Sequence, residues 1–206
     1  YRGLNYQRFL VNKKTYGVTR EQYTSNNSKK RLYISHSHKY RMDFSGDVVS
    51  LKELTNRSLN TRRNAPYGIQ GTAYLNAVFK DGTKYTVATF DFNSGPYGNG
   101  PTPNNTYEAY GFTWTNEPGM LNHGHTGWKV LLPNYLGRSG LRGHPDTNSP
   151  GTKGCIGFVG TYDELNTLGN FFEGYFTRNH KMTFNFFING NPNYGNEGRT
   201  NSSLAQ

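Results

Sequence analysis

A mainly β fold follows from three observations on the sequence. The apolar runs are short and alternate with polar residues, which is the pattern of strands with one buried face and not of long amphipathic helices. Turn-forming residues crowd between these runs, 25 of the 206 residues being glycine. The mean hydropathy of −0.83 goes with the lack of any apolar stretch near the roughly 20 residues that a bilayer-spanning helix needs. With 33% hydrophobic and 15% aromatic residues in 23.3 kDa, the chain has material for one core, hence for one catalytic-sized domain with a small appendage. No internal repeat is visible, and the start at Tyr1 reads as a processed or trimmed chain from which any signal peptide has gone.

Residues up to about 30 are polar, and TSNNSKKR at 24–31 reads as a solvated loop. RLYIS at 31–35 and YRMDF at 40–44 alternate well enough for short strands. Ser50 with Glu53 fits a capping box, in which each side chain bonds the other residue's backbone N–H; Leu51, Leu54 and Leu59 then give a short helix. The cluster NTRRNAPYG marks a boundary, so that 1–65 forms a small α+β N-terminal extension of unassigned role and 66–190 the main domain. Residues 72–92 form a hairpin through Asp81-Gly82, glycine supplying the positive φ of the turn. A glycine and proline loop leads into a strand at about 106–114, and GWKVLLP at 127–133 is another. Thr161 with Glu164 is a second capping box, after which Leu165, Leu168, Phe172 and Phe176 share one helical face. In KMTFNFFIN, 181–189, Met182, Phe184, Phe186 and Ile188 point to one side as a core strand, and 191–206 reads as a mobile tail.

The net charge of +10 predicts attraction to polyanions: nucleic acid, an anionic membrane face or an anionic wall polymer. A single cysteine excludes an internal disulfide and any zinc cluster of paired thiolates. A lone thiol is either a packed apolar group or a nucleophile. HPDTNSPGTKGCIGF, 144–158, supplies three features that depress a thiol pKa: His144 upstream, Lys153 two residues before Cys155, and a helix predicted shortly after it. Glycines at 151, 154 and 157 let backbone N–H groups turn inward, as an oxyanion hole requires. The simplest chemistry is a Cys–His acyl-transfer site. Arg142 and Asp146 flank the histidine as candidates to bind a carboxylate and to orient the ring, and Thr152 joins Lys153 as a candidate substrate contact. The plain alternative is a buried structural cysteine beside a surface histidine.

GRSGLRGHPD followed by SPGTKGCIGF is similar to the active-site signature of L,D-transpeptidase catalytic domains, and SGPYGNGPTPNNTYEAYGF resembles the segment that precedes it in that family. The likeness covers about residues 72–189. It implies an L,D-transpeptidase-like β-sandwich or mixed sheet with a helix after the cysteine. It also implies Cys155 as nucleophile, His144 as general base, the Pro145 carbonyl as the group that orients the imidazole, and the amides of Gly154 and Cys155 as donors to the oxyanion. The chain departs from the family at Lys153, where histidine is frequent, at Gly157, where Arg or Asn is frequent, and at Asn105, where glycine is usual; its His-to-Cys spacing is also short. Such members form a divergent branch that includes toxins aimed at the walls of competing bacteria.

The implied substrate is the peptide stem of peptidoglycan. Cys155 would attack the carbonyl of the third, diamino acid residue, releasing D-alanine and leaving a thioester. Resolution by an amine gives a 3-3 cross-link, by a D-amino acid exchange, and by water an L,D-carboxypeptidase. A carbapenem would acylate the same thiol. The resemblance further implies no cofactor and no metal, a monomer without a transmembrane segment, peptidoglycan and not nucleic acid as partner, and an extracytoplasmic setting in periplasm, wall or medium.

Other signals compete. His36 with His38 and His123 with His125 are His-x-His pairs, which put two rings on one strand face and can hold zinc, although the third ligand and carboxylate base of a zinc peptidase are not recognisable. His123, His125 and Trp128 instead read as lining the approach to the active site, or as a polar loop beside a strand. Basic clusters at 29–31 and 61–63 read as solvated faces. The 16 tyrosines and 13 phenylalanines read as core or sugar-stacking surface before nucleic-acid platform. The alternative of another class is a non-catalytic module that binds cell wall or another polyanion.

Overall fold

The computed structural model describes residues 39–50, 67–148 and 151–191. Within them the fold is mainly β: one mixed sheet of nine strands, nearly closed into a barrel, with one long helix after the eighth. The strands are β1 (Lys39–Ser50), β2 (Tyr67–Val78), β3 (Lys84–Ser94), β4 (Asn105–Ala109), β5 (Gly111–Thr115), β6 (Gly127–Leu131), β7 (Arg142–Pro145), β8 (Ile156–Val159) and β9 (Met182–Phe186). The helix, α1, spans Tyr162–Phe176, and a short 3-10 turn covers Pro118–Met120. The order across the sheet is β4-β9-β1-β2-β3-β8-β7-β6-β5, with β1–β9 and β7–β8 parallel and the other pairs antiparallel.

The hairpin forms as its sequence predicts. Gly82 takes φ +83°, and the Asp81 carboxylate accepts the Thr83 N–H at 2.9 Å, fixing the turn between β2 and β3. The expected strand at 106–114 is split at Tyr110. Its first half pairs with β9 and its second with β6, at opposite ends of the sheet, so one alternating run bridges the two ends and almost closes the barrel. The boundary drawn at 66 is corrected as well. β1 lies between β2 and β9 and keeps register with β2 from Lys39↔Val78 to Ser50↔Tyr67, so residues 39–50 belong to the central sheet. Ser50 ends that strand; the predicted strand at 31–35 and the helix through Leu51, Leu54 and Leu59 lie outside the described residues, as do the basic clusters and the tail from 192.

The core sits between one face of the sheet and α1. Met182, Phe184, Phe186 and Ile188 are all buried, as their alternation requires. Trp128 packs on Phe172 and Phe158 at ring separations of 5.3 and 5.6 Å, and Gly169 admits it: a Cβ there would lie 2.5 Å from Trp128 Cδ1. The buried face of α1 is turned slightly from the predicted one. Phe171 and Tyr175 are buried against Tyr40 of β1, at 5.1 and 5.7 Å, while Phe176 is half-buried. That rotation follows from β1 lying beneath the helix.

The N-terminus of α1 carries the predicted capping box: Thr161 Oγ1 accepts the Glu164 N–H at 3.3 Å, and Glu164 Oε2 accepts the Thr161 N–H at 3.0 Å. Thr161→Ala removes one of two reciprocal bonds, so urea unfolding is expected to show a loss of about 1 kcal/mol with an unchanged denaturant slope.

Candidate active site

The parallel pairing of β7 with β8 builds the site. Its register is Gly143↔Ile156, His144↔Gly157 and Pro145↔Phe158. Ile156 and Phe158 are fully buried in the aromatic core, and a Cβ on Gly143 would touch Phe158 at 3.2 Å. Because side chains alternate along strands, Arg142, His144 and Gly157 occupy the opposite face, and Cys155, one residue before β8, falls on it too. Strand spacing and rise place the Cα atoms of His144 and Cys155 about 8 Å apart, within diagonal reach of an imidazole.

His144 is buried, with Nδ1 2.7 Å from the Pro145 carbonyl. A carbonyl only accepts, so Nδ1 carries the proton and Nε2 of the neutral ring is the free base position. Burial holds the ring's pKa below its usual value; the Pro145 hydrogen bond and Glu117 pull the other way, and the Arg142 charge adds to the lowering. His144 is therefore neutral at physiological pH.

Cys155 is half-buried, its Sγ 3.8 Å from the Gly140 carbonyl. Burial pushes the thiol up, against the Arg142 N–H and the guanidinium charges of Arg142 and Arg138; the Asp146 charge adds to the rise. Among the described residues no hydrogen bond joins Sγ to the His144 ring. The resting pair is a neutral thiol beside a neutral imidazole.

Two expected activators are elsewhere. Lys153 is exposed, and the cations acting on the sulfur are Arg142 and Arg138 instead. The helix N-terminus lies beyond the far end of β8, since α1 begins at Tyr162, so its dipole does not point at Cys155. Arg138, inside the GRSGLRGHPD stretch, reaches the cysteine loop without any local signal in the sequence. Its guanidinium donates to the carbonyls of Pro101 and Gly100, the latter at 3.0 Å, and covers Gly154, where a Cβ would collide with it at 1.6 Å.

The loop before the cysteine is braced from behind. Thr152 is buried; its hydroxyl donates to the Cys155 carbonyl at 2.6 Å and accepts the Gly95 N–H at 3.1 Å. Ser94 Oγ reaches the same Cys155 carbonyl at 2.7 Å, and Thr102 Oγ1 donates to the Gly154 carbonyl at 2.8 Å. Thr152 is thus an internal brace and not a substrate contact. Gly154, at φ +106°, turns its N–H toward Thr152 Oγ1, 3.3 Å away, and not outward.

Asp146 does not orient the ring. Its Oδ2 accepts the Asn93 amide at 2.6 Å and the Gly151 N–H at 2.7 Å, while burial raises its pKa to about 6 against those two bonds. This pair also explains Gly157. A Cβ there would lie 2.7 Å from Asp146 Cβ and 2.8 Å from both Asn93 Oδ1 and Thr152 Cγ2, so the larger residue frequent in the resembling family has no room.

Arg142 is half-buried on the site's face, with its guanidinium 3.1 Å from Glu117 Oε2. His123, His125 and Trp128 do not line the site. His123 Nε2 is 2.8 Å from the Gly160 carbonyl, past the far end of β8 and about 16 Å of extended chain from Cys155. His125 stacks edge-on against Tyr162 at 5.2 Å. Trp128 is wholly buried and donates its indole N–H to the Leu165 carbonyl at 2.8 Å, because its strand face is the one covered by α1. Among the described residues no three His, Cys, Asp or Glu side chains converge as a metal site requires; His36 and His38 lie outside them.

No family model, curated protein or solved structure matches this chain.

A carboxyl whose pKa is about 6 when folded and 3.8 otherwise binds protons on folding between those values, so its contribution to stability declines as pH rises through pH 4 to 6 and stays lost above. Asp146→Asn retains an oxygen for Asn93 and Gly151 without the charge. The variant is expected to match the parent near pH 4 and to exceed it by on the order of 2 kcal/mol at pH 7, read from urea titrations at each pH; parallel pH profiles would contradict the assignment.

Proposed function

We propose that the chain is a cysteine acyltransferase acting on the peptide stems of peptidoglycan. The observation that carries this reading is the placement of Cys155 and His144 on one face of adjacent parallel strands, with Nδ1 fixed by Pro145 so that Nε2 is left as base. Turning from the Gly140 carbonyl, Sγ–H passes its proton to Nε2 and the sulfur attacks the carbonyl carbon of the third stem residue. The C–N bond to D-alanine breaks, the departing amine takes the proton from His144, and a thioester remains. An amine from another stem, a D-amino acid or water then resolves it, giving 3-3 cross-linking, exchange or carboxypeptidase activity; the same chemistry serves an antibacterial toxin. With the Gly154 N–H turned to Thr152, the Cys155 N–H is the donor left for the oxyanion. Arg138 and Arg142, the cations acting on the sulfur, stabilise its thiolate. The protein would meet this substrate outside the cytoplasm.

One observation favours a second reading, a wall-binding module that keeps the fold without the chemistry: the thiol is pushed up by burial and carries no hydrogen bond to the imidazole.

Incubation with tetrapeptide muropeptides, followed by mass spectrometry, separates the two. Released D-alanine is expected from the parent and in the presence of a chelator, none from Cys155→Ala, and on the order of 10² less from a folded His144→Ala. A single carbapenem adduct is expected, on Cys155. An alanine variant at 155 as active as the parent ends the thiol mechanism; an inert parent that sediments with sacculi establishes the binding module.

A further inference from the structure

Where β4 passes into β5, the sheet opens. β9 pairs with β4 as far as Met182↔Ala109, but β5 continues beyond that point while the chain before Met182 turns away toward α1. The space left along the edge of β5 is a cleft of about 400 Å³, lined by Tyr110, Phe112, Thr113 and Trp114 on the strand side and by Glu173, Phe176, Thr177 and His180 on the other. Its volume falls in the range of small-molecule sites. It shares no residue with the Cys155 site, and Phe112 and Trp114 stand on the helix-covered face, since Trp114 is in register with the buried Trp128.

We propose that this cleft binds an uncharged oligosaccharide. The lining alternates rings with hydrogen-bonding groups. Tyr110 is 53% exposed at the rim, and Phe112 and Trp114 meet at 90° with ring centroids 5.3 Å apart, forming an apolar corner. Glu173, Thr177 and His180 add acceptors and donors around it. Among the described residues no Lys or Arg lines the cleft, which gives a phosphate or carboxylate ligand no cation to pair with there. Glu173 and His180 make it a poor receptor for an acyl chain, whose burial against them would strip both of water. Aromatic rings beside a carboxylate also suit an organic cation, but a small cation would use the rings and Glu173 alone and leave the Thr177 and His180 groups without a partner. A pyranose meets the remaining requirement: a flat face of C–H groups to lie on the rings and a rim of hydroxyls for Glu173, Thr177 and His180.

The proposal is independent of the chemistry at Cys155. The chain has two tryptophans, Trp114 in the cleft and Trp128 wholly buried, so indole fluorescence reports on this site. Chitotetraose or cellotetraose is expected to give a saturable fluorescence change in the parent and equally in Cys155→Ala. Tyr110→Ala and Glu173→Gln, both at exposed positions, are expected to weaken it about fivefold to tenfold while leaving D-alanine release from soluble muropeptides unchanged. The proposal is overturned if neither sugar gives a saturable change at millimolar concentration, if both variants bind as the parent does, or if tetramethylammonium saturates the signal with the same dependence on Tyr110 and Glu173.

Discussion

The parallel pairing of β7 with β8 fixes where the cysteine and the histidine stand. Parallel neighbours need a crossover of about a dozen residues, and here only residues 146–155 connect Pro145 to Ile156. A connection that short has little slack, and each of its ends is held by a specific group. Asp146 grips the Gly151 N–H at one point, and Thr152 grips the Gly95 N–H and the Cys155 carbonyl at another. The same bonds that let the crossover close also set the depth and direction of the cysteine, so the candidate chemistry is a by-product of solving a backbone problem.

The electrostatics of the site come from this arrangement and not from the residues nearest the cysteine in sequence. Burial opposes charge on both partners, raising the thiol and lowering the imidazole, and it outweighs the two guanidiniums beside the sulfur. Asp146 stands slightly apart: it is needed as an acceptor for two donors, yet its negative charge works against the thiolate.

What was legible in the sequence was what is local. The capping box at Thr161, the Asp81-Gly82 turn and the alternation through Met182, Phe184, Phe186 and Ile188 each depend on contacts within a few residues, and each is present. The break at Tyr110 was invisible because both halves alternate; only the partner strands differ. β1 reads as part of a separate extension because NTRRNAPYG is a strong local breaker, whereas its place between β2 and β9 is fixed by pairing with residues far along the chain. Trp128 reads as binding surface because it stands near two histidines, and only the helix lying over it makes it core. In the same way Arg138, Ser94 and Thr102 act on the cysteine loop from outside the 144–158 stretch, which no reading confined to that stretch recovers.

The position of β1 has a practical corollary. Cutting the chain at the apparent boundary near 66 would remove the middle of the sheet and leave β2 and β9 each with a bare row of amide and carbonyl groups facing the other across an empty slot. Two raw edges of that length, one of them twelve residues long, invite pairing between molecules, so a shortened protein would be prone to clump or exchange strands instead of folding as a smaller unit.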